Sequence, residues 1–321
     1  MRNFRSFAWL ALFWAGTLMA QNYPSKPVRV IVPWPPGQAT DLAARFVAIK
    51  LADTLGQPFV IDNRPGAGGT IGSDVAAKSP GDGYTLLAGS SGPISIYPHL
   101  QGKLPFDWRR DLVPVSLVCT VPYLLTVGPS FPANNAAELI ALVRAQPGKY
   151  NFASSGAGAT GHLAMELFNS MAQLNAVHVP YKGSSPALTD IMSGQVGFIF
   201  ETFSATVGQV KSGRLKALAV SSRERVPALP DVPTVAESTG LSGYEMAAWI
   251  GYLAPAGTPR GVLGQLAGEI QKILQTADMR ERFAALGAVA RGSTPDELEA
   301  LLRSESDKYA AIIRTANIKM D

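Results

Sequence analysis

The chain has 321 residues, of which 47% are hydrophobic and 16% are charged. This balance excludes an intrinsically disordered chain, and the length favours two domains. The formal net charge is only +4 and no run of five Lys or Arg occurs, so we expect no nucleic-acid partner. The single cysteine, Cys119, excludes an intrachain disulfide bond, and its apolar neighbours predict a buried, inert thiol.

The first twenty residues have the layout of a secretory signal peptide. Two arginines precede an uncharged apolar run from Phe7 to Leu18, and Ala20 offers a small residue before the expected cleavage. About twelve apolar residues are too few to span a hydrocarbon core of ~30 Å. We therefore expect residues 1–20 to be a signal peptide and the mature protein to be periplasmic. An uncleaved membrane anchor is the alternative.

Short apolar runs alternate with segments of helical periodicity along the rest of the chain. Leu42, Phe46 and Ile49, for example, recur at the spacing of one helix face. Continuous apolar strands separated by helices predict parallel sheets covered on both faces, so the expected fold class is α/β. The predicted strands are residues 28–32, 59–61, 85–88, 151–153, 177–179, 196–200 and 216–220.

The same pattern predicts where the chain passes between domains. Three predicted strands precede the proline-marked stretch 112–132 and four follow it, and its segment 121–127 is long enough to cross. The extended segment 226–259 would return the chain, which gives a bilobed plan with a ligand over the carboxyl ends of the strands. The expected division is residues 21–125 plus 230–321 in lobe 1 and residues 126–229 in lobe 2.

Two helices near the end of the chain have readable starts. Thr258 followed by Pro259 predicts a capping hydroxyl and a proline at the first helical position. Thr294 followed by Glu297 forms a capping-box pattern. We expect each threonine side chain to accept a hydrogen bond from its helix.

Four turns between a strand and a helix are rich in Gly, Ser and Thr. Exposed amides and the positive end of the helix dipole make such turns anion sites, and small side chains allow close approach. One such turn is an ordinary connection in a parallel sheet, whereas four of them on both halves favour ligand binding. Neither 34–41 nor 154–162 contains Lys or Arg, so neutral donors would hold the anion. The four turns are residues 33–41, 63–72, 89–92 and 154–162.

Motifs for catalysis or cofactor binding are weak. Residues 156–161 satisfy G-x-G-x-x-G, but the next predicted strand runs into Pro180 rather than an acidic residue, which disfavours a dinucleotide site. Residues 89–92 are not a nucleophile elbow, and the three histidines have no metal-ligand spacing. We expect no cofactor and no metal, although a hydrolytic triad assembled from distant residues stays open.

A series of motifs, in order from residue 22 to about residue 318, resembles one family. Together they are similar to the Bug family, the extracytoplasmic receptors of tripartite tricarboxylate transporters. Any one of the motifs is weak evidence, and their combination is specific. The motifs are Pro33-Trp34-Pro35-Pro36-Gly37 with Thr40-Asp41, Asn63 with Pro65-Gly66-Ala67-Gly68-Gly69 and Gly72, Asp82-Gly83-Tyr84-Thr85-Leu86, Ser154-Ser155-Gly156 with Gly158 and His162-Leu163, Val179-Pro180-Tyr181-Lys182-Gly183, Gly213-Arg214-Leu215-Lys216-Ala217-Leu218-Ala219, and Pro255-Ala256-Gly257-Thr258-Pro259.

The resemblance implies a two-lobed periplasmic binding protein of the type II-like, Venus-flytrap kind, each lobe a mainly parallel sheet flanked by helices. It implies a receptor, not an enzyme, that closes on a small organic acid and delivers it to integral-membrane permease subunits. We expect a monomer. Two alternatives stay open, namely an exported hydrolase or isomerase acting on an organic acid, and a sensory subunit for a signalling kinase.

The resemblance also implies a site formed by the loops 34–41 and 154–162. We expect Gly37, Gly158 and Thr160 to contact the ligand carboxylate through amides or hydroxyls. Trp34 would stack on the ligand, wall the cleft or pack in the core. Asp41 is favoured as a helix cap and His162 as a structural histidine. The further candidates are Gln38, Thr40, Ser90, Ser91, Ser154, Ser155 and Tyr181.

Two departures from the family pattern bear on specificity. Gln38 stands where a second glycine is common, so an amide side chain would enter the cleft. Glu201 and Phe203 follow a strand of the second lobe where the family often has an aspartate or an uncharged residue and then a small polar one. Glu201 would receive a ligand ammonium, repel a second ligand carboxylate, or pair with a cation or helix terminus. Phe203 would face an aromatic or apolar part of the ligand.

Overall fold

The apolar runs of the sequence become the strands of one mixed sheet in a computed structural model that describes residues 23–319. The predicted signal peptide, residues 1–20, lies outside these residues. The strands are β1 (Val28–Val32), β2 (Phe59–Asn63), β3 (Thr85–Ser90), β4 (Leu112–Val127), β5 (Asn151–Ser154), β6 (Val177–Pro180), β7 (Phe198–Thr202), β8 (Lys216–Val220), β9 (Ala247–Pro255) and β10 (Val289–Ala290).

Helices connect these strands and cover the sheet. A 3₁₀ turn (Ala67–Gly69) and a π-helical turn (Gly92–Ile96) precede two of them. The α-helices are α1 (Ala39–Leu55), α2 (Thr70–Ala77), α3 (Tyr97–Leu100), α4 (Trp108–Asp111), α5 (Ala136–Ala145), α6 (Thr160–Ala172), α7 (Ser184–Ser193), α8 (Phe203–Lys211), α9 (Val235–Thr239), α10 (Arg260–Gln275), α11 (Ala277–Ala285) and α12 (Pro295–Thr315).

Each lobe is built around three parallel strands. In the first lobe β1 pairs in parallel with β2 and β3, and in the second β5 pairs in parallel with β6 and β7. Antiparallel pairs come from β4, β8, β9 and β10. The fold is therefore the expected α/β two-lobed architecture, and the sheet as a whole is mixed.

Strand β4 joins the two lobes. Its first part, from Leu112 to Pro122, pairs with β9 of the first lobe. Its last part, from Tyr123 to Val127, lies between β7 and β8 of the second lobe. The predicted crossing segment is therefore the end of a single 16-residue strand. The predicted boundary at residue 125 falls within this strand, and the exact domain limits stay a prediction.

Helix α12 packs against both lobes. Near its start, Leu298 and Leu302 lie in a buried cluster with Ile31 of β1. Near its end, Tyr309 and Ile312 lie in the apolar core of the second lobe. A 21-residue helix is about 31 Å long, which is enough to reach both cores.

The predicted helix starts have different outcomes. At α12 the capping box of Thr294 and Glu297 is confirmed, because each side chain accepts the other's backbone N–H. The predicted Thr258 cap is wrong, because its hydroxyl donates to the Pro255 carbonyl and α10 begins after Pro259 without a side-chain cap. Cys119 is buried as predicted, and burial raises the pKa of its thiol.

Among residues 23–319, no helix combines the length and apolar composition that crossing a bilayer requires.

Candidate functional site

A cleft of about 550 Å³ lies between the lobes, at the ends of strands and the starts of helices from both. It is lined by β3, β4 and β9, by the segments leading into α1 and α6, and by the starts of α7 and α8. The cleft therefore brings together loops that are more than a hundred residues apart in sequence. Ten predicted site residues line it, namely Trp34, Gly37, Gln38, Thr40, Ser90, Ser91, Ser155, Gly158, Thr160 and Glu201.

Helix α1 begins at the cleft with unpaired amides. Its first backbone hydrogen bond runs from Leu42 N to the Gln38 carbonyl, 2.9 Å away. The N–H groups of Ala39, Thr40 and Asp41 therefore precede the helical hydrogen-bond ladder, and no side chain caps them. These donors lie at the positive end of a 17-residue helix, which favours an anion there.

The segment leading into this helix, residues 34–41, is called the α1 loop. The Gly37 N–H donates to Asp41 Oδ2 at 2.8 Å. This amide is therefore already hydrogen-bonded within the loop, whereas the sequence led us to expect it to be free to bind the ligand carboxylate. Arg45 and Asn63 also donate to the Asp41 carboxylate, which is buried. Burial by itself raises the pKa of Asp41, but the hydrogen bonds from Arg45, Asn63 and Gly37 outweigh it and lower the pKa. Asp41 thus braces the loop behind the cleft, and does not line it.

Helix α6 begins in the same way on the opposite lobe. Its first backbone hydrogen bond runs from Leu163 N to the Ala159 carbonyl, 3.1 Å away, and no side chain caps its start. The N–H groups of Thr160, Gly161 and His162 therefore also precede the hydrogen-bond ladder. The cleft consequently has two uncapped helix starts, one on each lobe.

The segment leading into α6, residues 154–162, is called the α6 loop. Here the Gly158 N–H donates to His162 Nδ1 at 3.1 Å, so it too is not the free donor expected from sequence. The His162 ring stacks on His178 with a 3.7 Å centroid separation, and His178 Nε2 lies 2.7 Å from Ser154 Oγ. Burial, with a further effect of His162, lowers the pKa of His178 to about 4. Ser154 and His162 therefore support the loop from behind.

The aromatic and hydroxyl groups of the first lobe are held in place by local bonds. The Trp34 indole Nε1–H donates to Ser90 Oγ at 3.0 Å, and the half-buried ring lines the cleft. Ser91 Oγ accepts the Trp249 backbone N–H at 2.9 Å. Trp34 is therefore a wall of the cleft, fixed through Ser90, and the Ser90 hydroxyl hydrogen can still be donated.

Glu201 is the one charged side chain that lines the cleft in residues 23–319. It lies at the end of β7, opposite Leu124 of β4, and is only 2% exposed. Its Oε1 accepts the Thr202 backbone N–H at 2.7 Å. Its Oε2 has no hydrogen-bond partner among the described residues. Of the alternatives from sequence, a salt bridge to Lys, Arg or His is absent for Glu201 in residues 23–319, whereas its contact with the Thr202 N–H at the start of α8 agrees with the helix-terminus alternative.

Five predicted site residues lie outside the cleft, for identifiable reasons. Tyr181 is turned toward α7, where its hydroxyl donates to Asp190 Oδ2 at 2.6 Å. Phe203 is buried in an apolar cluster with Leu124 and Val220, so it does not face a ligand in this conformation. The five are Asp41, Ser154, His162, Tyr181 and Phe203.

Other residues line the cleft that sequence reasoning did not select. Ala39, Gly92 and Ala159 lie in the turns that the sequence marks but were not selected individually, whereas the residues on β4 and β9 come from strands where nothing in the local sequence marks a site. The serine and threonine residues after β7 and before α7 were detectable, since they follow strand ends as the selected turns do. The residues are Ala39, Gly92, Ile96, Tyr97, Val121, Tyr123, Ala159, Ser184, Thr202, Ser204, Ala248, Trp249 and Ile250.

Two lobes joined by long strands, with uncapped helix starts on both sides of one cleft, define a solute-binding protein of the Venus-flytrap class. The family model described as "Tripartite tricarboxylate transporter family receptor" matches residues 43–318. The chain belongs to this family, which confirms the resemblance seen in the sequence motifs.

Individual relatives agree over nearly the whole chain. Protein BugT of Bordetella pertussis is 39% identical over 307 residues, which cover 95% of this chain and 94% of BugT. The solved structure of R. palustris Rpa4515 with adipate has 34% identity and a TM-score of 0.79, and covers 93% of this chain and 100% of that one. MatC of Rhodopseudomonas palustris with bound malate has 32% identity and a TM-score of 0.72, with 91% and 100% covered.

Proposed function

We propose that this protein is a periplasmic receptor that binds a small organic carboxylate between its lobes and delivers it to permease subunits in the membrane. The observation that carries the proposal is the pair of uncapped helix starts, α1 and α6, in one cleft. Three of the residues that start these helices with unpaired amides, Ala39, Thr40 and Thr160, line the cleft and can offer charge-assisted hydrogen bonds to an anion, and both helix dipoles favour negative charge. No lysine or arginine of residues 23–319 lines the cleft to do this instead.

The relatives support the same assignment. The solved structures of Rpa4515 and MatC hold adipate and malate, which are both small carboxylates. Membership of a transporter receptor family supports delivery to a permease. The basic and apolar start of the chain supports export to the periplasm. Closure of the lobes would bring both helix starts onto one ligand and order the two loops.

A receptor role also fits the titratable groups of the cleft better than a hydrolase or isomerase role does. General base catalysis needs a base within hydrogen-bond reach of the group that it deprotonates. The candidate His162 lies behind the α6 loop, with Nδ1 occupied by the Gly158 N–H. Glu201 is the only acid that lines the cleft in residues 23–319, so no second carboxyl group lies beside it to form an acid–base pair.

A proline substitution tests the role of the amides directly. Ala39 is the exposed first residue of α1, and Gln38 before it has an extended backbone that a following proline permits. Ala39→Pro therefore removes one amide donor and leaves the helix intact. A charge-assisted hydrogen bond is worth about 1.5–3 kcal/mol, so the carboxylate dissociation constant should rise about tenfold to a hundredfold in calorimetry.

The matched control is Ala277→Pro at the start of α11. This alanine is also exposed, also follows an extended capping residue, and does not line the cleft. The control should bind the carboxylate as the wild type does, and both variants should unfold at nearly the wild-type temperature. If Ala39→Pro binds the carboxylate with unchanged affinity, the α1 amides do not bind the ligand and the proposal for this helix start is wrong.

A further inference from the structure

The unpartnered carboxylate oxygen of Glu201 is the least expected feature of this cleft. A buried acceptor is normally hydrogen-bonded, because burial without a donor is costly, and more so for a charged group. One side of the carboxylate is satisfied by the Thr202 amide at the start of α8. The other side, Oε2, accepts no hydrogen bond from residues 23–319 although the residue lines the cleft.

The surroundings of Glu201 suit a cation better than a second anion. No Lys, Arg or His side chain of the described residues lines the cleft. Tyr97 and Tyr123 line it, and aromatic rings attract ammonium groups through their electron-rich faces. Glu201 is close enough to Tyr123 for its charge to contribute, after burial, to raising the pKa of the phenol. The charge of Glu201 therefore affects another residue that lines the cleft.

The cleft therefore presents groups of both electrostatic signs to a ligand. The helix starts of α1 and α6 present N–H donors to an anion. Glu201, at the end of β7, presents an acceptor with a negative charge. A ligand that matches both must carry a carboxylate and a positively charged donor. A dicarboxylate would place its second negative charge near an acidic side chain that has no counter-ion there.

We infer that this receptor selects an amino carboxylic acid, whose carboxylate binds at the helix starts and whose ammonium group donates to Glu201 Oε2. The inference rests on the proposed function and narrows its substrate class from carboxylates in general to zwitterions. It also separates this chain from Rpa4515 and MatC, whose solved structures hold the dicarboxylates adipate and malate.

Matched ligand pairs provide the first test. Adipate and 5-aminopentanoate share four methylene groups and differ only in whether the second end is a carboxylate or an ammonium group. Succinate with 3-aminopropanoate and glutarate with 4-aminobutanoate extend the series to shorter chains, and α-amino acids complete the panel. Calorimetry on the wild-type protein should give at least tenfold tighter binding for the amino member of the best-fitting pair. The corresponding hydroxy acid should bind more weakly than the amino acid, because it offers a donor without charge.

The substitution Glu201→Gln provides the second test. Glutamine keeps an oxygen that can accept the Thr202 N–H and replaces Oε2 by a neutral amide nitrogen. The variant should lose at least tenfold in affinity for the amino acid and should bind the dicarboxylate as well as the wild type or better. Glu245→Gln is the control, because it removes an equal charge from a partly exposed residue that does not line the cleft.

Each outcome has a distinct meaning. If dicarboxylates bind and amino acids do not, the inference is overturned and the proposed function stands. If amino acids bind best but Glu201→Gln keeps that preference, the role of Glu201 is overturned. Equal binding of hydroxy and amino acids would overturn selection for a positive charge. If none of these acids binds the wild type, the proposed function fails with the inference.

Discussion

The α1 loop and the α6 loop share one backbone arrangement but are braced by different chemistry. In each, a glycine N–H donates to the side chain four residues later, from Gly37 to Asp41 and from Gly158 to His162. Asp41 is an anion that also accepts from Arg45 and Asn63. His162 is an imidazole ring that accepts through Nδ1 and stacks on a second histidine. The same turn geometry can therefore be held by a charged network or by a pair of stacked imidazole rings.

The largest effect on stability is expected for the hydrogen-bond network around the Asp41 carboxylate in the α1 loop. Asp41→Asn keeps the size of the side chain but removes its charge and turns an amide nitrogen either toward the Gly37 and Arg45 donors or toward the Asn63 donor. Hydrogen bonds to charged groups contribute about 1.5–3 kcal/mol each, so we expect a loss of about 3 kcal/mol in the free energy of unfolding. Urea denaturation measures it. Asp53→Asn, exposed on the same helix, is the control and should change stability by less than about 0.5 kcal/mol. An equally small effect at Asp41 would show that the network is not stabilising.

Acidification should weaken the α6 loop before the α1 loop. The pKa of His178 is lowered by burial, and further by His162, to about 4 from its ordinary value of 6.5. Between these values the unfolded chain binds this proton and the folded protein does not, so the free energy of unfolding falls as the pH drops from about 6.5 toward 4. The pKa of Asp41 lies below its ordinary 3.8, so the α1 loop keeps its hydrogen bonds throughout this range.

Thermal unfolding at about pH 7.5 and about pH 5 measures this difference. The unfolding midpoint of the wild type should fall more on acidification than that of His178→Gln, which cannot take up the proton. His99, whose pKa is also lowered by burial and by Arg109, contributes equally to both proteins and cancels in the comparison. If the unfolding midpoint of His178→Gln falls as much on acidification as that of the wild type, protonation of His178 is not the cause of the loss of stability.

The smallest effects are expected where the two loops are alike. Gly37 and Gly158 have positive φ angles of 85° and 74°, which cost other residues about 1–2 kcal/mol. Gly37→Ala and Gly158→Ala should therefore destabilise the protein by similar amounts in urea denaturation. Gly264→Ala, in open space within α10, should instead stabilise it by up to about 1 kcal/mol. Unequal losses at the two loops would mean that their backbone similarity is incomplete.

Local patterns were sufficient for most strands and for one cap. Strands β1 and β8 have the predicted bounds, because continuous β-branched and apolar runs are suited to a buried strand. The capping box at Thr294 was predictable because its hydrogen bonds join residues three apart. Thr258 was not, since its hydroxyl can reach a preceding carbonyl as easily as a following amide.

The site was predictable only in outline. Gly37, Thr40 and Thr160 lie in turns that the sequence marks, and all three line the cleft. Tyr123 and Trp249 also line it, but they come from strands whose pairing depends on contacts across more than a hundred residues. The periodicity of the sequence does not predict which strands pair with each other.

The sequence by itself determined most of the strands, the start of α12 and the family, because these follow from neighbouring residues and from motifs in order. Only the tertiary structure decided which donors stay free. The Gly37 and Gly158 amides are hydrogen-bonded within their own loops, whereas the first amides of α1 and α6 precede their helical hydrogen-bond ladders and have no side-chain cap. Hydrogen bonding depends on distances of about 3 Å and on direction, and those are fixed only when separate parts of the chain are packed together.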